Sequence, residues 1–150
     1  MLAVIQRVSE ASLSIEGRLK ASIQQGFVVL LGLHVSDEPS DVTYVASKIA
    51  ALRIFSDSEG KMNLDLQAVN GDILLVSQFT LIASTKKGNR PSFIEDSRPE
   101  HAIPLYEEMT RQLMFKLTKP IQTGVFGADM KVSLINDGPV TIIIDSKNPS

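Results

Sequence analysis

The sequence predicts an α+β fold, a rolled or barrel-like β-sheet covered by two main helices. Three observations point there. Strand-like runs fill residues 2–33 and return at 121–145. Two segments carry the three- and four-residue apolar recurrence of an amphipathic helix. Strands outweigh helices, and the helices must cover a sheet face to bury their apolar stripes. The chain of 150 residues has no repeat, low-complexity stretch or linker, so residues 1–150 read as a single domain large enough for a substantial core.

Residues 2–9 and 11–16 read as paired strands, with Glu16-Gly17 as turn chemistry before a further strand at 18–23. The run from Phe27 to Leu33 is continuously apolar, which predicts a strand buried on both faces. Ser36-Asp37-Glu38-Pro39 starts a helix over about 39–52, where Val42, Val45, Ala46, Ile49 and Leu52 share one face. Residues 56–63 form a polar loop, and Ile73-Leu74-Leu75-Val76 is a short buried strand. Residues 82–98 look irregular. A second helix runs from Pro99 to about Leu117 with a stripe of Ile103, Tyr106, Met109, Leu113 and Leu117. Pro104 near its start is tolerated, and Pro120 closes it. Strands follow at 121–126, 130–136 and 140–145, with Asp137-Gly138-Pro139 as a bend.

Composition narrows the function. Hydrophobic residues make up 43% and charged residues 21%, as in ordinary globular proteins. With no cysteine, a disulfide scaffold, a thiolate metal site and a cysteine nucleophile are all excluded. His34 and His101 are the only histidines, and neither sits in a metal-ligand spacing; no metal and no cofactor is expected. Both read as structural or solvated, and Asp57, Glu59 and Asp65 as surface charges. No phosphate-binding, dinucleotide-binding or nucleophile-elbow motif is present. The first residues lack the pattern of a signal peptide, and no apolar run is long enough to span a membrane, so the chain reads as cytoplasmic. A net charge of −2 argues against broad nucleic-acid binding. Lys86, Lys87 and Arg90 nevertheless cluster, with Arg98 close behind. They are either a solvated loop or a small phosphate contact.

Two strings carry the chemistry. Ser77, Gln78, Phe79 and Thr80 follow a buried strand directly. Polar side chains there can enter a cleft, and backbone N–H groups at a strand end can bind an oxyanion. The same residues could instead satisfy a strand-to-loop turn. Thr80 has the residue type of a nucleophile, but no base is placed by sequence to activate it. Gly138-Pro139 reads locally as a tight turn.

These strings, with Gln6-Arg7-Val8, Leu52-Arg53-Ile54-Phe55, Gly60-Lys61-Met62-Asn63, Arg90-Pro91-Ser92-Phe93 and Phe126-Gly127-Ala128-Asp129-Met130, resemble the D-aminoacyl-tRNA deacylase family, also called D-tyrosyl-tRNA deacylases. The resemblance runs from Gln6 to Asp145. It implies an ester hydrolase that releases D-amino acids, and mischarged glycine, from the 3′ end of tRNA. Ser77, Gln78, Phe79 and Thr80 would form the catalytic site, with a positioning role for Thr80 and the terminal 2′-OH assisting. Gly138-Pro139 would be a cis step that rejects L-amino acids by backbone, acting across a homodimer interface. Arg7 would hold that step, and Phe126 and Met130 would line the pocket. Lys86, Lys87 and Arg90 would meet RNA phosphates. Relatives often continue the first string with an aromatic, a small residue and an acid, where this chain has Ile82-Ala83-Ser84. Two other readings stay open: an acyl hydrolase with Thr80 as covalent nucleophile, and a non-catalytic tRNA-binding module of the same fold.

Overall fold

A computed structural model describes residues 1–149. Its organising element is β1, Leu2–Ile15, a single long strand where the sequence suggested two. Residues 9–11, Ser-Glu-Ala, supply no turn chemistry. The chain runs straight on, with only an irregular register opposite Val8 and Glu10. Glu16 and Gly17, at φ of 51° and 75°, then make the tight turn into β2, Arg18–Ile23, which pairs back antiparallel. β3, Gly26–Gly32, pairs antiparallel with the first half of β1, and β6, Asp72–Ser77, lies parallel to β3. β7 is only Gln122–Thr123, parallel to β6. The Lys20 Nζ donates to the Thr123 carbonyl at 3.1 Å, tying β2 to β7 and curling the sheet towards a barrel.

Both faces of this sheet are covered, so β3 and the Ile73–Val76 run of β6 are apolar. Phe27, Val29 and Leu31 of β3 and Ile73 and Leu75 of β6 face the helices. Val28, Leu74 and Val76 face the interior of the curl, where Val8, Leu13 and Ile23 meet them. Strand side chains alternate faces, and here each face has its own core.

Helix α1, Pro39–Ala51, buries Val42, Val45, Ala46 and Ile49. Its start is fixed by a reciprocal cap, in which the Glu38 N–H donates to Asp41 Oδ2 at 2.8 Å. Helix α2, Pro99–Leu117, buries Ala102, Leu105, Tyr106, Met109, Leu113 and Leu117. Ile103, expected in that stripe, faces outwards instead, and Ala102 and Leu105 take the inner positions.

Three further expectations are corrected. Residues 56–63 are not wholly loop: β4, Phe55–Ser56, and β5, Met62–Leu64, form a short hairpin. Arg53 fastens it, donating to the Asn63 carbonyl at 2.8 Å and to the Asn63 side chain. The strand expected at 121–126 stops at Thr123, because Val125–Gly127 turn away, with Gly127 at φ 79°. Most informative is the C-terminal strand. Residues 130–136 and 140–145 are not two strands joined by a bend. They form one element, β8, Lys131–Asp145, antiparallel to β1 along its length. Its partners pass from Val8–Asn136 to Gln6–Thr141, so residues 137–140 stand opposite Arg7 alone and bulge out of the ladder.

Candidate active site

A cavity of about 410 Å³ opens where β6 ends. A volume of this order suits a small-molecule group. Ser77, Gln78 and Phe79 form one wall, Phe126 to Met130 a second, and Asp96, Ser97, Pro99 and Ala102 a third at the start of α2.

The first wall exists because a 3-10 turn over Phe79–Ile82 folds onto the end of β3. Gly32 permits that approach: a Cβ there would stand 2.9 Å from the Leu81 Cβ and 3.1 Å from the Ile82 Cδ1. The Gln78 N–H is not free, since it donates to the Leu31 carbonyl at 2.8 Å. The turn's first bond is from the Leu81 N–H to the Gln78 carbonyl, at 3.2 Å. The Phe79 and Thr80 N–H groups precede that bond and lie outside the turn's own ladder. The strand-end donors inferred from sequence are therefore these two. The Gln78 amide nitrogen donates to the Thr80 hydroxyl oxygen. An amide is no base, and this contact gives Thr80 an orientation rather than an activated oxygen. Phe79 leans on Phe93 at 5.1 Å between ring centroids.

The second wall is anchored by the core. Tyr106 of α2 donates its buried hydroxyl to the Leu75 carbonyl at 2.9 Å and meets the Phe126 ring edge-on at 6.0 Å. Burial pushes the Tyr106 phenol up, so it stays a protonated donor. Phe126 is thus fixed to both α2 and β6. Asp129, at the mouth, pairs with Lys131 at 3.0 Å.

Four expected site residues lie elsewhere. Thr80, Arg7, Gly138 and Pro139 do not line this cavity. Gly138 and Pro139 are exposed on the bulge of β8, and the peptide bond between them is cis. Gly138 sits at φ 130°, where a Cβ would meet the Val140 Cγ2 at 2.7 Å and the Arg7 Nη2 at 3.0 Å. Arg7 grips the bulge. Its Nε donates to the Asp137 carbonyl at 3.0 Å and its Nη1 to the Ile54 carbonyl at 2.6 Å. The Asn136 side-chain oxygen accepts from the Val140 N–H at 3.3 Å, closing the bulge from within. Lys86, Lys87 and Arg90 are exposed on a loop whose neck is two bonds between Ser84 and Ser92, each 2.8 Å. His34 and His101 have local partners. His34 pairs with Glu95 at 3.1 Å, and His101 bridges Ser97 and the Asp37 carbonyl.

Sequence reasoning missed Asp96, Ser97 and Ala102 as lining residues. Asp96 and Ser97 lie in a stretch read as irregular and Ala102 in the first turn of the second helix, and the docking of α2 brings them to the cavity. It also missed Ile54, whose carbonyl takes one arm of Arg7.

The class defined so far is a single-domain α+β protein in which a strand end, a 3-10 turn and an apolar wall meet around one cavity. The family model described as D-Tyr-tRNA(Tyr) deacylase matches residues 4–145. Proteins named D-aminoacyl-tRNA deacylase from Cytophaga hutchinsonii and Flavobacterium psychrophilum are 61% and 59% identical over 148 residues, covering 99% of each chain. A solved structure named c-Myc DNA Unwinding Element Binding Protein superposes with a TM-score of 0.91 at 37% identity, covering 100% of both chains. The chain belongs to the D-Tyr-tRNA(Tyr) deacylase family, and so to the hydrolases.

Proposed function

We propose that this protein hydrolyses the ester between a D-amino acid and the terminal ribose of tRNA, releasing free D-amino acid and tRNA. The observation that carries the reading is the pair of Phe79 and Thr80 N–H groups left outside the turn's ladder beside the cavity. Hydrolysis of an ester passes through a tetrahedral oxyanion, and two backbone donors at its position would stabilise it. Water adds to the carbonyl carbon, the carbon–oxygen bond to the ribose breaks, and the ribose oxygen leaves with a proton. The neighbouring 2′-OH assists, since Thr80 is oriented by an amide and has no base. An aminoacyl ester is already activated, so orientation and oxyanion binding suffice.

Chirality is filtered by the Gly138-Pro139 bulge of a second copy. Its carbonyls face the α-carbon, so an L side chain collides while a D side chain or glycine is admitted. Several features support this. The bulge is exposed, lies off its own chain's cavity and is held by Arg7. Among the described residues β8 pairs with β1 alone, which leaves its other edge unpaired, and Leu134, Ile135 and Ile143 of this strand are exposed. An apolar edge strand is a surface that a partner chain would cover. Lys86, Lys87 and Arg90 contact phosphates near the RNA end, and the enzyme works in the cytoplasm.

The test is hydrolysis of matched D-tyrosyl-, L-tyrosyl- and glycyl-tRNA. Cleavage of the D and glycyl esters with the L ester spared is expected. Comparable cleavage of D and L esters would sink the filter, and no cleavage of any would sink the activity.

A further inference from the structure

Arg7 ties the bulge of β8 to the Ile54 carbonyl, so the bulge is placed only as firmly as Ile54 is. Ile54 lies between the end of α1 and β4, in neither helix nor strand. Among the described residues, no backbone–backbone hydrogen bond of a loop or turn involves Arg53 or Ile54. The direction of this carbonyl is therefore set by its neighbours and not by a ladder. On the following side the support is core. Phe55 is 3% exposed, and its ring stacks on Phe27 at 5.2 Å between centroids. Phe27 is the residue opposite Arg7 in the register of β1 with β3. On the preceding side the support is Arg53. β4 and β5 are two and three residues long and pair only with each other. A hairpin that small is marginal without further contacts. Its register passes from Phe55–Leu64 to Ser56–Met62, so Asn63 is an extra residue without a partner in the ladder. Arg53 supplies that partner. Its Nε donates to the Asn63 carbonyl at 2.8 Å and its Nη2 to the Asn63 side-chain oxygen, a planar fork closed on one residue.

We propose that Arg53 and Asn63 are positioning residues for the Gly138-Pro139 bulge, acting through the Ile54 carbonyl and Arg7, and that they thereby support the choice between D and L esters. The second half rests on the proposed role of the bulge as chiral filter; the first half does not. The contacts run in one line. Asn63 fixes Arg53, and Arg53 and Phe55 hold the Ile54 peptide between them. The Ile54 carbonyl fixes one arm of Arg7, and another arm holds the Asp137 carbonyl next to Gly138. Arg53 and Asn63 are both exposed, so neither is needed to fill the core. One competing support exists. Asp57 Oδ1 accepts from the Glu59 and Lys61 N–H groups at 2.8 and 3.0 Å and closes the tip of the hairpin. If that tip is enough to hold the hairpin, the bulge will not register the loss of Arg53.

The experiment reads two quantities in Arg53→Ala, Asn63→Ala, Arg7→Ala and the Arg7→Ala/Arg53→Ala double variant. One is exchange of the Val140 amide by NMR, since its bond to Asn136 closes the bulge. The other is the ratio of D-tyrosyl- to L-tyrosyl-tRNA hydrolysis. Arg53→Ala is expected to speed Val140 exchange and lower the ratio, each by on the order of fivefold, the worth of one net hydrogen bond. Amides of β3 should keep their wild-type rates. Asn63→Ala keeps the carbonyl bond and should move both quantities the same way by a smaller factor. Adding Arg53→Ala to Arg7→Ala should change neither further, because the two effects share one route. Unchanged Val140 exchange in Arg53→Ala, or losses that simply add in the double variant, overturn the positioning role. Should Arg53→Ala not fold, Asn63→Ala carries the same comparison. If exchange accelerates as expected while the D/L ratio holds in every variant, Arg7→Ala included, the bulge is positioned as stated and its reading as the chiral filter falls instead.

Discussion

The strand-end cavity and the Gly138-Pro139 bulge are built in opposite ways. Every wall of the cavity is backed by core. Gly32 lets the 3-10 turn settle onto β3, Tyr106 fixes Phe126, and the Gln78 N–H is tied to Leu31. The bulge meets the core only through the half-buried Val140. It is an insertion of residues 137–140 in an edge strand, exposed and held by polar contacts from Arg7 and Asn136. The difference teaches a division of labour. The cavity takes its three walls from one chain. The bulge presents rigid backbone outwards and acquires a role only when something is placed against it.

The largest expected effect is on the cavity side of this comparison. Replacing the terminal 2′-OH of the substrate by hydrogen should lower the rate at least 100-fold, on the scale of general acid–base assistance. Thr80→Ala should retain activity within about tenfold, because it loses one oriented hydroxyl and no base. Single-turnover rates for the four combinations decide it. A dead alanine variant that leaves the deoxy substrate unaffected would make Thr80 a nucleophile and the cavity self-sufficient chemistry.

Next in size is the clamp on the bulge. Arg7→Ala removes charge-assisted bonds to Asp137 and Ile54, and a loss of about 1.5–3 kcal/mol in stability is expected for such contacts. The ratio of D to L hydrolysis should fall with it. Arg7→Lys should not rescue the ratio, since one ammonium cannot span two carbonyls on separate segments as a planar guanidinium does. Denaturant melts and D/L rate ratios measured on both variants would blur the comparison if stability fell while chirality stayed intact.

The smallest effect lies on the flank. Changing Lys86, Lys87 and Arg90 to Ala should weaken tRNA binding and flatten the dependence of log KM on log salt by about 2, from three lost contacts to a single strand. The D/L ratio should not move. An unchanged slope returns the loop to solvent.

The helices and buried strands were legible because local pattern and tertiary role agree. α1 matches its apolar recurrence, and β3 and β6 match their continuous runs because both faces find a core. The Ser77–Phe79 wall was legible as residues that follow a buried strand, but the Phe79 and Thr80 backbone donors beside it were not. They depend on Gln78 finding Leu31 across the sheet. The shape of β8 was hidden for a related reason. Asp-Gly-Pro carries strong local turn chemistry, yet pairing with β1 on both sides of it overrides that signal and leaves a bulge. Asp96 and Ser97 were illegible because an irregular stretch has no periodicity from which a facing direction can be read.

The central claim is that one chain's bulge completes another chain's cavity, and mixing two inactive variants tests it most directly. One carries a disrupted Gly138-Pro139 step, the other an altered Ser77–Thr80 segment. On this account, co-refolding them gives mixed two-fold dimers in which one composite site has both an intact wall and an intact bulge. The account predicts that D-tyrosyl-tRNA hydrolysis, with sparing of the L ester, returns in the mixture and is absent from either parent. Mixed dimers that form and stay as inactive as their parents, or a fully active and selective monomer, would contradict it.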